Sequence, residues 1–501
     1  MFSFASILTT LLPFVSLSAS YTLKTGPPVV APASAIQRAE NIDTGNPSKC
    51  PAGTKFLPLP IDYATFNNNW TDPKQTSHMQ YEVNDTFYQQ GGPILYYQGA
   101  ENAAITCVEF MNLMNWAKEI NALVVTNEHR YFGISTPYGL NYSEFATWDT
   151  ALMKPLTPDN VLRDSVSLIT YIKTKAYPSA KDSKVILLGG SYAGTLALLY
   201  RTHYSDYIYA TIALSPVSKG LVSDPNDPMI YGFGDWTNMV INDYSAEAAN
   251  IIRQGMVQVR EHFAAKNYSG LQTGLRLCEP PKTPDDETNL LQAVLGGYVN
   301  NLQYNFAVFQ YPLQRTVNAT LAAPDPFAAV GAAMGVYTNI SYTTCVDWSS
   351  IKRLQGPFNY IRCTYLPYPG AYSRPESLWG HVTSKAWNES SAARDWECRQ
   401  AFNVSSVTGG VAFQKSLKLD QDTLVDTSGL LVTEGLIDPT TALGPASWLP
   451  GRGRNHSRIM WVGQSGHGEV TRMPAATDST ALTESRLYIL NGMKEWIGVT
   501  K

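Results

Sequence analysis

The first half of the chain alternates between short apolar runs and segments in which apolar residues recur at helical spacing. Four apolar runs read as buried strands because each ends at glycine or polar residues: 94–98, 122–126, 185–188 and 210–214. The helical segments lie between them: 108–120, 160–177 and 192–203. Parallel strands need helical connections, so this rhythm predicts an α/β fold in which helices cover both faces of a parallel sheet.

The rhythm stops after residue 217. Residues 218–425 lack regular strand-like runs, and they carry long helical patches at 246–263 and 288–309. Strand-like runs resume at 430–433 and 458–462, and an amphipathic helix is predicted at 482–497. Because a chain of 501 residues exceeds one typical domain, we interpret 218–425 as an inserted, mostly helical lid. It would interrupt one core made of 51–217 and 426–501.

The richest chemical signal is the turn after the third strand, with the sequence Gly189-Gly190-Ser191-Tyr192-Ala193-Gly194. A serine between a strand and a helix matches the nucleophile elbow of an α/β-hydrolase, G-x-S-x-G, in which small neighbours allow a strained turn. Ala193 takes the place of the last glycine. The alternative is an ordinary turn in which Ser191 caps the helix. We predict an α/β-hydrolase core with Ser191 as nucleophile.

A serine hydroxyl needs a histidine to take its proton and a carboxylate to orient that histidine. In this fold the order along the chain is serine, acid, histidine. Asp438 follows the strand predicted at 430–433, and His467 follows the strand at 458–462. Glu434 is the rival acid. His129 precedes Ser191, which is the wrong order for the base, and its segment is expected to support the site mainly through a buried ion pair.

The oxyanion of the reaction needs two donors. The backbone N–H of Tyr192 is the first candidate, and a second should come from the loop after the strand at 94–98. We favour Ala100, with Gly99 and Glu101 left open. Glu101 could instead bind a substrate amine, or it could be an ordinary loop carboxylate.

Composition narrows the classes of partner. The net charge is −4, charged residues make up 16% of the chain and apolar residues 44%. Because no basic block occurs, binding to nucleic acid or to an anionic membrane is not expected. The chain has no C-x-x-C pair, so a zinc site built from cysteines is not expected either. We predict no metal and no cofactor.

Several features predict export. Residues 1–20 resemble a signal peptide with small residues at its end. Residues 21–50 are rich in Pro, Ala and Ser and are expected to form a propeptide or a loose arm. No later run of about 20 apolar residues follows, which predicts a soluble mature protein. The chain carries nine N-x-[ST] sequons that predict a glycoprotein, at Asn69, Asn84, Asn141, Asn267, Asn318, Asn339, Asn388, Asn403 and Asn455.

The six cysteines also fit an exported chain, in which they predict up to three disulfides. Six cysteines allow 15 pairings. Proximity along the sequence alone favours Cys50–Cys107, Cys278–Cys345 and Cys363–Cys398.

Together, several motifs resemble the prolyl carboxypeptidase and dipeptidyl peptidase II family of serine peptidases, including its secreted fungal members. They are GGPILYY at 91–97, EHRYFG at 128–133, Leu156-Thr157 with Asp164, GGSY at 189–192, SPV at 215–217 and GLIDP at 435–439. The resemblance covers about residues 60–495. It implies an α/β-hydrolase core with a helical lid, cleavage after proline, an acid-tolerant lysosomal or secreted setting, and a triad of Ser191, Asp438 and His467.

Three positions depart from the family pattern. Thr440 replaces a tryptophan and Thr195 replaces a methionine, both of which line the family's proline pocket. The doubled histidine that is frequent at the catalytic base is reduced to His467. We therefore expect intact catalytic machinery and a substrate pocket altered at Thr195 and Thr440.

These observations predict a glycosylated serine peptidase that acts through an acyl-enzyme and, by resemblance, prefers prolyl bonds. It would be secreted or held in the vacuolar or lysosomal lumen, as a monomer or homodimer, with a peptide as substrate. Two alternatives remain: an esterase or lipase with the same machinery, and a catalytically silent binding glycoprotein.

Overall fold

The computed structural model describes residues 21–40, 50, 53–222, 226–284, 286–337, 345–348, 355–382, 393–407, 409–447 and 457–499. The predicted signal peptide and three of the sequons lie outside the described residues: Asn339, Asn388 and Asn455.

An eight-stranded sheet in the order β1-β2-β4-β3-β5-β6-β7-β8 organises the molecule. The strands are β1 Lys55–Pro60, β2 Thr76–Asn84, β3 Ile94–Tyr97, β4 Leu123–Asn127, β5 Val185–Gly190, β6 Ala210–Leu214, β7 Leu430–Gly435 and β8 Arg458–Val462. β1 and β2 pair antiparallel, β2 pairs antiparallel with β4, and the other pairings are parallel. This arrangement confirms the α/β-hydrolase fold.

The central strands are apolar because both of their faces are covered. Alternation along β3 directs Ile94 and Tyr96 into one buried cluster and Leu95 into another cluster on the opposite face. All residues of β4, β6 and β7 are buried. Such strands read as continuous apolar runs, which explains why the sequence revealed them.

Helices connect the strands and fill the segment between β6 and β7. Those of the core are Leu113–Ile120, Pro158–Tyr171, Tyr192–His203 and Thr480–Ile497. Those between β6 and β7 are Gly232–Tyr244, Ala246–Ala264, Tyr268–Gly274, Asp286–Gln303, Pro312–Ala322, Pro326–Met334, Gly356–Thr364, Ala393–Phe402, Val411–Ser416 and Gln421–Asp426.

This segment, which we call the insertion (218–425), contributes no strand to the sheet in its described residues. Side chains between Val240 and Val382 form a separate apolar cluster. Side chains of its last part, from Tyr360 to Leu424, join the cluster that covers one face of the sheet. The insertion is therefore anchored to the core along its later helices.

The N-terminal region differs from the expected loose arm. Residues 33–40 form a helix, Ala33–Glu40, and Leu23, Ala31 and Ala39 are buried. The N–H of Val29 donates to Ser167 Oγ at 2.9 Å. Small side chains allow this segment to approach the core closely, so its Pro- and Ala-rich composition reflects packing over the described residues 21–40.

β1 was not predicted, because Pro58 and Pro60 lie within it. Proline cannot donate to a sheet ladder and is tolerated in edge strands. β1 is the terminal strand of this sheet and pairs only with β2 among the described strands, so its prolines fit.

Three disulfides join Cys50 to Cys107, Cys278 to Cys345, and Cys363 to Cys398. These are the pairs that proximity along the sequence favoured. The Cys50–Cys107 disulfide ties residue 50 to the segment just before residues 108–111, and the Cys278–Cys345 disulfide lies within the insertion.

Five of the nine sequon asparagines are exposed: Asn69, Asn141, Asn267, Asn318 and Asn403. Asn84 does not fit the expectation of an exposed glycosylation site, because its side chain is only 6% exposed and donates a hydrogen bond to Glu109. A glycan at Asn84 would require this edge of β2 to open. Across the described residues, no helix is both long enough and apolar enough to cross a membrane.

Candidate active site

Ser191 stands at a strained turn between β5 and the helix Tyr192–His203. Its φ of 57° and ψ of −124° are rare for a residue with a side chain. Its N–H donates to the carbonyl of Leu214 in the neighbouring strand at 2.8 Å. The turn therefore presents Ser191 at the carboxyl end of the parallel sheet, where α/β folds place their sites.

The glycines of this turn are required by close backbone contacts. A Cβ on Gly189 would lie 2.2 Å from the carbonyl oxygen of Ala193, and one on Gly194 would lie 2.7 Å from that of Leu214. Ala193 carries a methyl group and is fully buried. The positions that require glycine are thus 189 and 194. Position 193, where alanine replaces the last glycine of the motif, has room for a methyl group.

The two other predicted triad residues meet at the ends of β7 and β8. His467 Nδ1 lies 2.6 Å from Asp438 Oδ2, and the Asp438 side chain is fully buried. The backbone N–H of Thr440 donates to Asp438 Oδ1 at 3.0 Å, and the Thr440 hydroxyl donates to Oδ2. These bonds fix the carboxylate that faces the imidazole.

The other ring nitrogen of His467 is not hydrogen-bonded. His467 Nε2 is buried and has no hydrogen-bond partner among the described residues. Burial lowers the pKa of His467. The charge and hydrogen bond of Asp438 and the charge of Glu101 raise it by more than burial lowers it, so the net shift is upward. An imidazole held at Nδ1 with Nε2 available is suited to accept a proton from a nucleophile.

Ser191 and His467 line one cavity of about 830 Å³. Ala100 and Glu101 line it as well, so the loop after β3 reaches the site as expected. Tyr192 is the first residue of its helix, and its N–H therefore has no acceptor within that helix. The elements that the sequence assigned to nucleophile, base and oxyanion donors come together at this cavity.

Glu101 contributes a carboxyl group to the cavity. Its Oε2 is buried and has no partner among the described residues. Burial raises the pKa of Glu101, while a hydrogen bond from its own backbone and the charge of His467 lower it in part. A carboxylate in this position favours a positively charged neighbour, which is either protonated His467 or a group of the substrate.

Thr195 and Thr440 do not lie where we expected. Neither residue lines the cavity of Ser191 and His467. Thr195 is fully buried and accepts the N–H of Val217, and Thr440 is 3% exposed and holds Asp438. The prediction that both threonines contact substrate is wrong. Both side chains are buried, and their hydroxyl groups form hydrogen bonds inside the protein.

The insertion supplies a wall that sequence reasoning missed. Gln303, Tyr304 and Phe306 line the cavity. The carbonyl of Gln303, the last residue of the helix Asp286–Gln303, accepts the N–H of His467 at 2.8 Å. The aromatic residues after this helix are its only signal in the sequence, and spacing alone does not say which face of a helix meets the rest of the protein.

The EHRY segment lies behind the elbow. His129 Nε2 is 2.9 Å from the hydroxyl of Tyr192, and burial lowers the pKa of His129 to about 3, so this histidine is neutral. Arg130 pairs with Asp164 at 2.6 Å, and both side chains are buried. The His129 contact reaches the helix that follows Ser191, and the ion pair joins the same segment to the helix Pro158–Tyr171.

One cluster of described residues has the side chains of a metal site: Cys50, Glu82 and Cys107. Its two sulfurs are bonded to each other. A disulfide offers no thiolate, so this cluster does not fit a structural zinc.

Comparison with known proteins identifies the family. The family model described as serine carboxypeptidase S28 matches residues 65–341, a stretch that contains Ser191 and ends before Asp438. The lysosomal Pro-X carboxypeptidase of Pongo abelii is 32% identical over 283 residues, which cover 53% of this chain and 52% of that protein. That of Bos taurus is 28% identical and covers 52% and 49%. The chain thus spans about half the length of these curated relatives.

Another relative aligns over most of both chains. The putative serine protease pcp-1 of Caenorhabditis elegans is 31% identical over 504 positions, which cover 92% of this chain and 85% of that protein. Among solved structures, the alignment with the proline iminopeptidase of Mycobacterium smegmatis covers 84% of this chain and 95% of that protein, at 12% identity and a TM-score of 0.35. The chain belongs to the serine carboxypeptidase S28 family.

Proposed function

We propose that the protein is a serine peptidase in which Ser191 is the nucleophile, His467 the general base and Asp438 the residue that orients the base. The observation that carries this proposal is the imidazole of His467, which is hydrogen-bonded to buried Asp438 at Nδ1, has no partner at Nε2 among the described residues, and lines the same cavity as Ser191.

The reaction follows from these positions. His467 Nε2 takes the proton of Ser191 as the hydroxyl oxygen attacks the scissile carbonyl. The backbone N–H groups of Tyr192 and Ala100 bind the oxyanion. Protonated His467 then gives its proton to the leaving amine, which leaves an acyl group on Ser191. A water molecule, deprotonated by His467, hydrolyses this ester and regenerates the serine.

The proposed substrate is a peptide with proline on the acyl side of the cleaved bond. Two observations support this preference: relatives are named Pro-X carboxypeptidases, and the aromatic wall of Tyr304 and Phe306 lies beside the proposed catalytic residues. An aromatic face suits the rigid apolar ring of proline. Because Thr195 and Thr440 do not line the cavity, the threonines at these two positions do not alter this aromatic wall.

The proposed setting is the secreted or lysosomal compartment, with glycans on exposed sequons. Relatives are named as lysosomal in mammals and as extracellular in the fungus Arthroderma benhamiae, whose protein is 28% identical and covers 37% of this chain and 25% of its own. The three disulfides and five exposed sequon asparagines agree with an oxidising compartment.

Labelling with a fluorophosphonate tests the machinery. The protein should label at Ser191, Ser191→Ala should not label, and His467→Gln should label at least about 100-fold more slowly, because base catalysis is lost. Ser205→Ala, which changes an exposed serine that belongs to no sequon, is the matched control and should label normally. Labelling that survives Ser191→Ala would overturn the proposal.

A peptide library, read by mass spectrometry, tests the substrate class. We expect new ends that follow proline, and we expect proline-containing peptides to be cleaved with a higher kcat/KM than the same peptides with alanine. Turnover of simple esters without any peptide cleavage would instead identify an esterase.

A further inference from the structure

A tyrosine of the sheet presents an unpaired hydroxyl group to the cavity of Ser191 and His467. Tyr97 is the last residue of β3, and it is partly exposed where it lines this cavity. Among the described residues, no group forms a hydrogen bond with its hydroxyl. A tyrosine hydroxyl carries one donor, which is usually paired when it lies inside a protein. The hydroxyl of Tyr97 is therefore available to a molecule bound in the cavity.

This hydroxyl lies beside the residue that precedes the nucleophile. β3 and β5 are parallel neighbours, and Tyr97 is paired with Leu188, which comes three residues before Ser191. A Cβ on Gly190 would lie 3.9 Å from the Tyr97 hydroxyl oxygen, which would be its nearest neighbour. Since Gly190 also lines the cavity, the hydroxyl reaches the floor of the site next to the turn of the nucleophile.

Other tyrosines close to this turn use their hydroxyl groups inside the protein. The hydroxyl of Tyr192, the residue after the nucleophile, lies 2.9 Å from His129 Nε2. That of Tyr200, in the same helix, donates to Gln98 Oε1 at 2.7 Å. Neither side chain lines the cavity. At this end of the sheet, Tyr97 is thus the tyrosine whose hydroxyl can meet a substrate.

The insertion contributes a rival hydroxyl, that of Tyr304. It also lines the cavity, and none of the residues that the structure describes forms a hydrogen bond with its hydroxyl. Its ring stacks on Tyr337, with the ring centroids 4.4 Å apart. The charges of Glu101 and Asp438 both help to raise the pKa of Tyr304. Tyr304 therefore lies toward the acid and the base, whereas Tyr97 lies beside the nucleophile.

The hydroxyl of Tyr97 keeps its proton at any pH at which the protein is folded and active. Burial and then the charge of Glu101 raise the pKa of Tyr97 to about 12. The group is consequently a neutral donor. Such a donor stabilises a developing negative charge and does not compete for the proton that His467 moves.

We infer, on the basis of the proposed function, that the side chain of Tyr97 is a third donor to the oxyanion, beside the backbone N–H groups of Tyr192 and Ala100. Ala100 follows Tyr97 by three residues, so the backbone donor and the hydroxyl come from the same end of the same strand. The carbonyl oxygen of the substrate becomes fully negative only when the bond from Ser191 has formed. The hydrogen bond from Tyr97 is therefore strongest in the tetrahedral intermediate and contributes little to binding of the intact peptide.

The experiment measures Tyr97→Phe on a peptide that the wild-type protein cleaves after proline. We expect kcat/KM to fall by about 100-fold, the loss typical of one oxyanion donor. The Kd of the same intact peptide, measured in Ser191→Ala with and without Tyr97→Phe, should not change. A kcat/KM within about 2-fold of wild type, or a Kd that weakens as much as kcat/KM falls, would overturn the inference.

Two further variants distinguish other routes to the same loss. If Tyr304→Phe lost activity while Tyr97→Phe kept it, the assignment to Tyr97 would be wrong. In a Glu101→Gln background, Tyr97→Phe should still lower kcat/KM by a similar factor. No additional loss in that background would show that the hydroxyl acts only through Glu101, which would also overturn the inference.

Tyr209→Phe is the matched control. It removes an exposed hydroxyl just before β6, at the end of the strand away from the site, and should leave kcat/KM unchanged. Urea unfolding of Tyr97→Phe should match that of the wild-type protein, because the lost hydroxyl has no partner, and this separates a lost donor from a damaged fold. A wild-type protein that takes no fluorophosphonate label would overturn the proposed function itself.

Discussion

Replacing Glu82 by glutamine should make the stability of the protein less dependent on pH. Glu82 lies on β2 and is fully buried, and its Oε2 accepts the N–H of Val108 at 3.2 Å. Burial, together with the hydrogen bond and charge of Glu109, raises the pKa of Glu82 from 4.5 to about 8. Glutamine has the same shape and stays neutral.

The raised pKa fixes the direction of the effect. Below pH 4.5 the carboxyl group is protonated in both the folded and the unfolded chain. Between 4.5 and about 8 the folded protein keeps the proton that the unfolded chain has released. The free energy of unfolding therefore falls as pH rises through this window, by at most about 1.4 kcal/mol per pH unit and about 5 kcal/mol in all.

The assay is urea unfolding of the wild-type protein and Glu82→Gln at pH 5, 6, 7 and 8. We expect the wild-type free energy of unfolding to decline more steeply with pH, and the two curves to diverge by several kcal/mol. Other buried carboxyl groups, such as Glu128 with a pKa raised to about 7, act equally on both proteins. Glu247→Gln changes an exposed carboxylate and is the control. Parallel curves for wild type and Glu82→Gln would refute the reasoning.

Three further predictions concern the site and its support. Arg130→Met should destabilise the fold by about 3–5 kcal/mol in urea unfolding, because Asp164 would be left buried and unpaired; a loss under about 1 kcal/mol would contradict this. Gly194→Ala should abolish fluorophosphonate labelling, since its methyl group would approach a backbone carbonyl to 2.7 Å, and labelling at the wild-type rate would show that the turn adapts. Glu101→Gln should move the acid limb of the kcat/KM profile to lower pH, because one of the charges that raises the pKa of His467 is removed; an unmoved limb would count against it.

The sheet and the order of the site residues could be predicted because each has a strong local signal. Buried parallel strands are continuous apolar runs, and Ser191 lies between such a run and a helix. β1 was missed because Pro58 and Pro60 are unfavourable in a strand unless the strand is at an edge, and edge position is a property of the whole sheet.

The contacts of individual side chains were harder to predict. Thr195 and Thr440 were placed in a pocket from the family pattern, yet each satisfies a hydrogen bond inside the protein. A short side chain does not reach as far as the long one it replaces. A residue can therefore occupy the family's motif position without making the contact that the longer residue makes there. The aromatic wall of Tyr304 and Phe306 could not be placed at the site either, because it comes from the insertion, which is distant from Ser191 along the chain.

The hydrogen bond from the backbone N–H of His467 to the carbonyl of Gln303 limits how this enzyme can be redesigned. Gly466 is wedged there as well, since a Cβ on it would lie 2.7 Å from the same carbonyl oxygen and 2.9 Å from Phe306. The acceptor is a main-chain group, so the bond itself does not depend on the side chain at residue 303. A one-residue deletion in the preceding helix would instead rotate that carbonyl away. Exchange of the insertion between relatives will therefore keep this bond only when the length of that helix is conserved.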